Sequence, residues 1–546
     1  MTITTAAEPP VFVSRDSEGM RLWNLTRQFY QKRGGTAAWI DGRKPRPQMD
    51  ELVQALQQAD REGLEPELYN ASLLRARRVE AGRGFLTMKG FDEREATNLD
   101  VWLTYLYLQY ASDLANGVAN LTHADPNWQI PVKKSEPLDQ LERALDQNQV
   151  ARSLDELTPH HPQYTALRDA LGRYREIERR GGWPALPAQL TLRPGQRNAA
   201  VPLLARRLAV TADYAGTPGD EDSTYGPALQ EAVKRFQRRH GLEPDGTVRA
   251  ATVAHLNVPV AQRLQQITLN LERWRWLPSD LGERYILVNI PEYRLEVWDH
   301  ATVPLSMRVV VGKRDTPTPI FTDAMTHVVF APYWNVPSAI AKNETVPHAL
   351  RDPAFLQRTH MDVLDKDGRP VDPASIDPEN LGAYRFRQRP GSSNSLGLVK
   401  FMFPNQFNVY LHDTPVDSLF ARATRSFSHG CVRIEQPDKL AQYVLGDQPS
   451  WTAERISQAM HAGEEMTVKL THPLPVYLGY WTARISADGI PQFRDDLYGI
   501  DARQSTILAG ALDRLKTKAA AAGAAATAQA LRPGSGQAPP PRRKRR

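Results

Sequence analysis

A chain of 546 residues with one cysteine, Cys431, cannot form an internal disulfide or a cysteine-ligated metal cluster. No run of eighteen or more apolar residues is present, so no segment reads as a membrane-spanning helix. Also missing is a helix-spaced histidine pair with its glutamate, the pattern of a zinc peptidase. No metal and no cofactor are expected. Met1–Pro10 lacks the basic and apolar regions of a secretory signal. Excess charge is absent from most of the chain as well. The formal +6 resides in Arg532–Arg546, which hold six Lys/Arg and no acid, and the first 531 residues balance 62 basic against 62 acidic side chains. The folded part therefore reads as neutral, which argues against a nucleic-acid partner.

What is present is ordinary for a soluble protein, 41% hydrophobic, in a chain too long for one core. Residues 18–185 read as a helical domain, with Leu22, Leu25, Phe29 and Tyr30 at helical spacing and an apolar stripe from Leu99 to Leu114. Asp92 and Glu93 read as a solvated helix start. Residues 192–257 read as a small three-helix unit closed by tight turns, with Ala232, Val233 and Phe236 on one stripe. From Tyr285 the texture changes to short alternating or apolar runs, and a β-rich domain is expected over 284–502. Inside it, 339–397 is rich in Pro, Asp, Arg and Gly. It is too long for a plain connection and has the character of a lid. Residues 511–546, Ala-rich and then Pro- and Arg-rich, are expected to hold little fixed structure beyond one helix at their start. The fold class is multidomain α+β.

The chemistry gathers around the lone thiol. Cys431 lies in Ser426-Phe427-Ser428-His429-Gly430-Cys431-Val432-Arg433, nineteen positions after His412. A thiol attacks carbonyl carbon as a thiolate, which needs a base or a positive charge nearby. His412, His429 and Arg433 are the candidates. An arbitrary lone cysteine is most simply a small buried hydrophobe, but here the neighbours point to a nucleophile. Gly430 allows a tight turn that frees peptide N–H groups for an oxyanion. His412 closes the strand-like Asn408–Leu411 and precedes the turn-like Asp413-Thr414-Pro415, so the base sits at a rigid strand end.

His412, fifteen intervening residues and then Ser428-His429-Gly430-Cys431 resemble the signature of the L,D-transpeptidases of the bacterial cell wall. Lys400–Asn405, Tyr410–Pro415, Val311-Gly312-Lys313, Thr316–Pro319 and Tyr333–Pro337 are similar to the large multidomain branch of that family. The helical region resembles that branch's scaffold. Ala232–Gln237, His240-Gly241-Leu242, Asp245-Gly246 and Thr252 resemble the common peptidoglycan-binding module, for which a spacer that binds nothing is the competing reading. Where some subfamilies carry Asn two residues after the cysteine, this chain has Arg433. That residue either contacts a substrate carboxylate or pairs with an acid in the fold.

The resemblance implies an acyltransferase that cross-links peptidoglycan stem peptides, donor and acceptor alike, and expels a terminal D-alanine. It assigns Cys431 as nucleophile, His412 as base and the Asp413 carbonyl as the group fixing the tautomer of His412. The N–H groups near His429, Gly430 and Cys431 would form the oxyanion site. His429 either assists the thiolate or only holds the loop. Tyr410, Ser428, Arg433 and Trp334 are substrate-binding candidates, and 339–397 is the implied cap. The implied compartment is the periplasm, with the leader removed or the start lying downstream of it, and the basic tail is left to weak contact with anionic envelope polymers. Two alternatives stay open: a carboxypeptidase or endopeptidase using the same acyl-enzyme, and a non-catalytic wall-binding scaffold.

Overall fold

Tyr285–Asn289 and the runs after it do form strands, since β-branched and aromatic side chains suit a pleated, half-buried surface, while Ile290 opens a short 3-10 turn. The structure is a computed structural model describing residues 8–86, 91–119, 128–131, 137–216, 223–352, 354–377 and 380–530. The β-rich domain has nine principal strands: β1 Arg284–Asn289, β2 Arg294–Asp299, β3 Thr302–Gly312, β4 Phe321–Phe330, β5 Val399–Met402, β6 Leu411–His412, β7 Ser426–Ser428, β8 Val432–Ile434 and β9 Met466–Gly479. Their order in the sheet is β7-β3-β8-β6-β5-β4-β9-β1-β2, and β2 pairs with β3 as well, so the sheet curls back on itself. The pairing β6–β8 is parallel, whereas β5–β6 and β3–β8 are antiparallel. Inward residues such as Val309, Val311, Val328, Phe401, Leu411 and Val432 fill the interior.

The expected helical N-terminal domain is present, but its boundary at 185 is corrected. Its core runs from Phe12 to Leu157 around the helix Glu93–Asn116, whose start is capped by Asp92. The next helix, Pro162–Arg179, packs with Val260–Arg275 in the same core as the sheet. Periodicity shows that a helix has an apolar face without showing which core receives it. Between those two helices lies the small unit, with helices Val201–Val210, Pro227–Arg239 and Ala250–Leu256 around Leu204, Val233 and Phe236. It is docked rather than tethered. His240 stacks on Phe493, and Arg494 donates to the carbonyl of Arg239 at 2.8 Å.

The insertion is a unit with its own small core of Ala341, Val346, Leu356, Val363 and Phe386. Its three-stranded sheet joins Trp334–Asn335 and Met361–Leu364 to Arg385–Gln388, so the unit begins a few residues before 339. Of the tail from Ala511, expected to hold little fixed structure beyond one helix at its start, residues 511–530 are helical. One helix spans Ile500–Ala530, carrying Leu508 and Ala511 in the core of the β-rich domain and Leu515, Ala522 and Ala526 against the N-terminal core. Alanine is the strongest helix former and fits close against a neighbouring surface, so an Ala-rich run here is a packed strap. The basic stretch 532–546 lies outside the described residues. Among the described residues no helix is long and apolar enough to cross a membrane.

Candidate active site

Parallel pairing of β6 with β8 sets Leu411 opposite Val432 and His412 opposite Arg433. Successive residues of a strand point to opposite faces. Because Leu411, Val432 and Ile434 enter the core, Tyr410, His412, Cys431 and Arg433 share the other face. From the opposite side of β6, Lys400 of β5 pairs with His412. The imidazole therefore lies between two cationic side chains, on strands about 4.8 Å apart, with Cys431 one pleat along the neighbouring chain.

His412 is almost fully buried, at 4% exposure. Its Nδ1–H donates to the Asp413 carbonyl at 2.5 Å, and because a carbonyl only accepts, Nε2 keeps its lone pair. Burial, with the charge of Arg433, pushes its pKa down to about 3, against a smaller upward pull from the carbonyls of Asp413 and Leu396. The carboxylate of Asp413 holds the strand end, accepting from the N–H groups of Leu398 at 2.8 Å and Thr414 at 2.7 Å. Gly397 makes this possible: at φ 62°, a Cβ there would fall 2.3 Å from Asp413 Oδ2.

Cys431 is half-buried, its thiol directed at the Asn408 carbonyl at 3.7 Å. Burial pushes the thiol up, while the Tyr410 backbone N–H, the Arg433 charge and the Tyr410 hydroxyl pull it down. The resting pair is thus a neutral thiol and a neutral imidazole. Of the two readings left open for Arg433, pairing with an acid is not observed. Among the described residues no carboxylate lies within ion-pair distance of it, and its buried Nε has no partner. A largely buried guanidinium with no ion-pair partner, beside a thiol, is suited to a carboxylate or an oxyanion.

Two expectations for the signature turn are corrected. Ser428 is 2% exposed, and its hydroxyl donates to the Cys431 carbonyl at 2.5 Å while accepting the Gly430 N–H at 3.1 Å. It shapes the turn and has no donor left for substrate, and the Gly430 N–H is likewise spent. The N–H groups of His429 and Cys431 donate to no acceptor among the described residues. Gly430 itself has φ 116°, which glycine alone adopts readily. A cradle from 312–318 supports the turn: Lys313 N and Thr316 Oγ1 donate to the Ser428 carbonyl, and Thr318 Oγ1 donates to the Gly430 carbonyl at 2.8 Å.

His429 points away from the thiol towards the insertion, where its Nε2–H donates to Glu344 Oε1 at 2.6 Å. Glu344 sits in a π-helical turn, Ala341–Thr345. Sequence reasoning missed both Glu344 and Lys400: nothing near Glu344 in the chain signals that it meets residue 429. Trp334 lies in the insertion's sheet, paired with Gln388, rather than on the strands that carry Cys431 and His412.

Residues 283–468 match the model of the L,D-transpeptidase catalytic domain, 24–171 that of a scaffold domain, and 197–256 that described as "Putative peptidoglycan binding domain". A curated protein of Haemophilus influenzae named "Putative L,D-transpeptidase" is 35% identical over 240 residues, 43% of this chain and 48% of that one. The chain thus spans about half the length of the curated relative it matches. An L,D-transpeptidase structure from Mycobacterium smegmatis is 14% identical over 36% of this chain and 58% of that one, and one from Xylanimonas cellulosilytica is 16% identical over 54% and 100%. Both have a TM-score of 0.18.

Proposed function

We propose that this chain, whose residues 283–468 carry an L,D-transpeptidase catalytic domain, cross-links peptidoglycan stems in the periplasm through an acyl-enzyme on Cys431. The observation that carries this reading is the shared face of Cys431, His412, Tyr410 and Arg433, with Nδ1 of His412 anchored on the Asp413 carbonyl. His412 Nε2 takes the thiol proton as Sγ attacks the carbonyl carbon of the third stem residue. The Cys431 N–H and the Arg433 guanidinium face the developing oxyanion. Collapse forms the thioester and breaks the bond to the terminal D-alanine, whose nitrogen leaves with the proton from His412. An acceptor amine then attacks the thioester, gives its proton to His412, and releases Sγ.

The unpaired Arg433 supports a carboxylate-bearing donor. The Glu344–His429 contact supports a cap that keeps water from the thioester until the amine arrives. Incubation of the enzyme with tetrapeptide stems, followed by mass spectrometry, tests the reading. Cross-linked dimers with free D-alanine are expected. Tripeptide alone would make it a hydrolase, and unchanged substrate would leave only the wall-binding scaffold.

A further inference from the structure

Away from the catalytic strands, a cavity of about 850 Å³ opens where the N-terminal domain, Trp276 and the C-terminal helix meet. Junctions of this kind are where ligand sites concentrate. One face of the helix Glu93–Asn116 forms its wall. Trp102, Tyr105, Gln109, Asp113 and Asn116 follow at spacings of three and four, with Leu106 beside them, so the wall grades from aromatic to amide and carboxyl.

The charges at this cavity do not cancel. At its mouth Arg21 forks onto Glu18 at 2.9 and 2.8 Å, and Lys518 pairs with Asp16. Beside its polar end Arg275 is taken by Glu272 at 2.9 Å. Asp113 is left over. Its carboxyl accepts one hydrogen bond, from the Tyr69 hydroxyl at 2.9 Å, and has no cationic partner among the described residues. Nearby, the buried amide oxygen of Asn116 has no hydrogen-bond partner among the described residues. A half-buried carboxyl and a buried amide oxygen, both acceptors, thus lie at the end of an aromatic wall with no cation to meet them, an arrangement that costs stability unless a ligand or a proton supplies the missing partner.

We propose that this cavity binds an organic primary ammonium with an apolar body, the ammonium on Asp113 and the body against Phe12, Trp102 and Tyr105. The rings bury the apolar body, and an ammonium offers three donors to the acceptors at the polar end. Burial, with Glu272 and Glu18 adding to it and the Tyr69 hydroxyl and Arg275 opposing, holds the Asp113 carboxyl up to about 8. At pH 7 it is mostly protonated, so an incoming cation ionises it and a proton leaves.

The test is calorimetric titration of the full chain with 2-phenylethylamine, 2-phenylethanol and 3-phenylpropionate at pH 7, in buffers of different ionisation enthalpy. The amine is expected to bind at least tenfold more tightly than the alcohol, with release of close to one proton, and the acid not to bind. Asp113→Asn should lower amine affinity at least tenfold and abolish the proton release. No amine binding at millimolar concentration, equal binding of the alcohol, or binding without proton release in the unaltered chain would each overturn the proposal, whether or not the variant folds.

Discussion

His412 and Arg433 face each other across the parallel strands β6 and β8, and the guanidinium helps to keep the imidazole neutral. The same charge favours the thiolate of Cys431 two residues away. One side chain thus opposes protonation of the imidazole and favours the thiolate.

Replacing Arg433 with Met should reduce kcat/KM for donor stems by about a hundredfold, the scale of one lost oxyanion or carboxylate contact. It should also move the acid limb of the pH profile upward, because His412 loses a neighbouring cation. Arg433→Lys should recover part of the rate and most of the pH shift. A Met variant with an unmoved acid limb would separate Arg433 from His412.

The pH dependence has a definite sign. With His412 held near 3, the base stays available far below the ordinary histidine range, so acylation should show no loss near pH 6.5. Alkylation of Cys431 by iodoacetamide should instead keep rising above the usual thiol range, since burial pushes the thiol up. His161 is held near 3 as well. For both histidines the folded value lies below the unfolded one. The stability they contribute is therefore complete above about 6.5 and lost as pH falls towards 3. Urea midpoints between pH 7 and 4 should fall accordingly, and less steeply in His161→Phe.

Glu344→Gln should loosen the insertion, because it removes the charge from its contact with His429. Hydrogen exchange should rise in 341–345 and 426–430, and products should shift from dimers to tripeptide, with acylation slowed less than threefold. An unchanged product ratio with faster exchange would leave the contact structural.

Much of the fold could be read from the chain because its signals are local. The Glu93 helix start, the alternation in β1 to β4 and the turn at Gly430 depend on neighbours in sequence. What escaped was long-range. An apolar stripe on Pro162–Arg179 does not name its partner, and alanine composition alone does not distinguish a solvated tail from the strap at Ile500–Ala530. Cys431 and His412 stood out as a motif, and the register of β6 and β8 sets them on one face. The exhausted hydroxyl of Ser428, the Gly430 N–H bound to it and the reach of Glu344 to His429 depend on atoms brought together only by folding.

Gly397→Ala tests how the base is held. The added methyl would strike Asp413 Oδ2, and a φ of 62° is strained for alanine, so a loss of about 1–3 kcal/mol is expected. Activity should fall further than that stability loss explains, as the Asp413 carbonyl shifts from His412. Denaturation midpoints and turnover at a temperature where the variant is folded check both.

The central claim is that Cys431 carries the acyl group. Intact-protein mass spectrometry during turnover of a tetrapeptide stem should show one tripeptidyl adduct, mapped to Cys431 by digestion. In Cys431→Ser the adduct should be absent and D-alanine release at least about a thousandfold slower, with an unchanged melting temperature. An adduct on any other residue, or D-alanine released at an undiminished rate by the folded serine variant, would contradict the account.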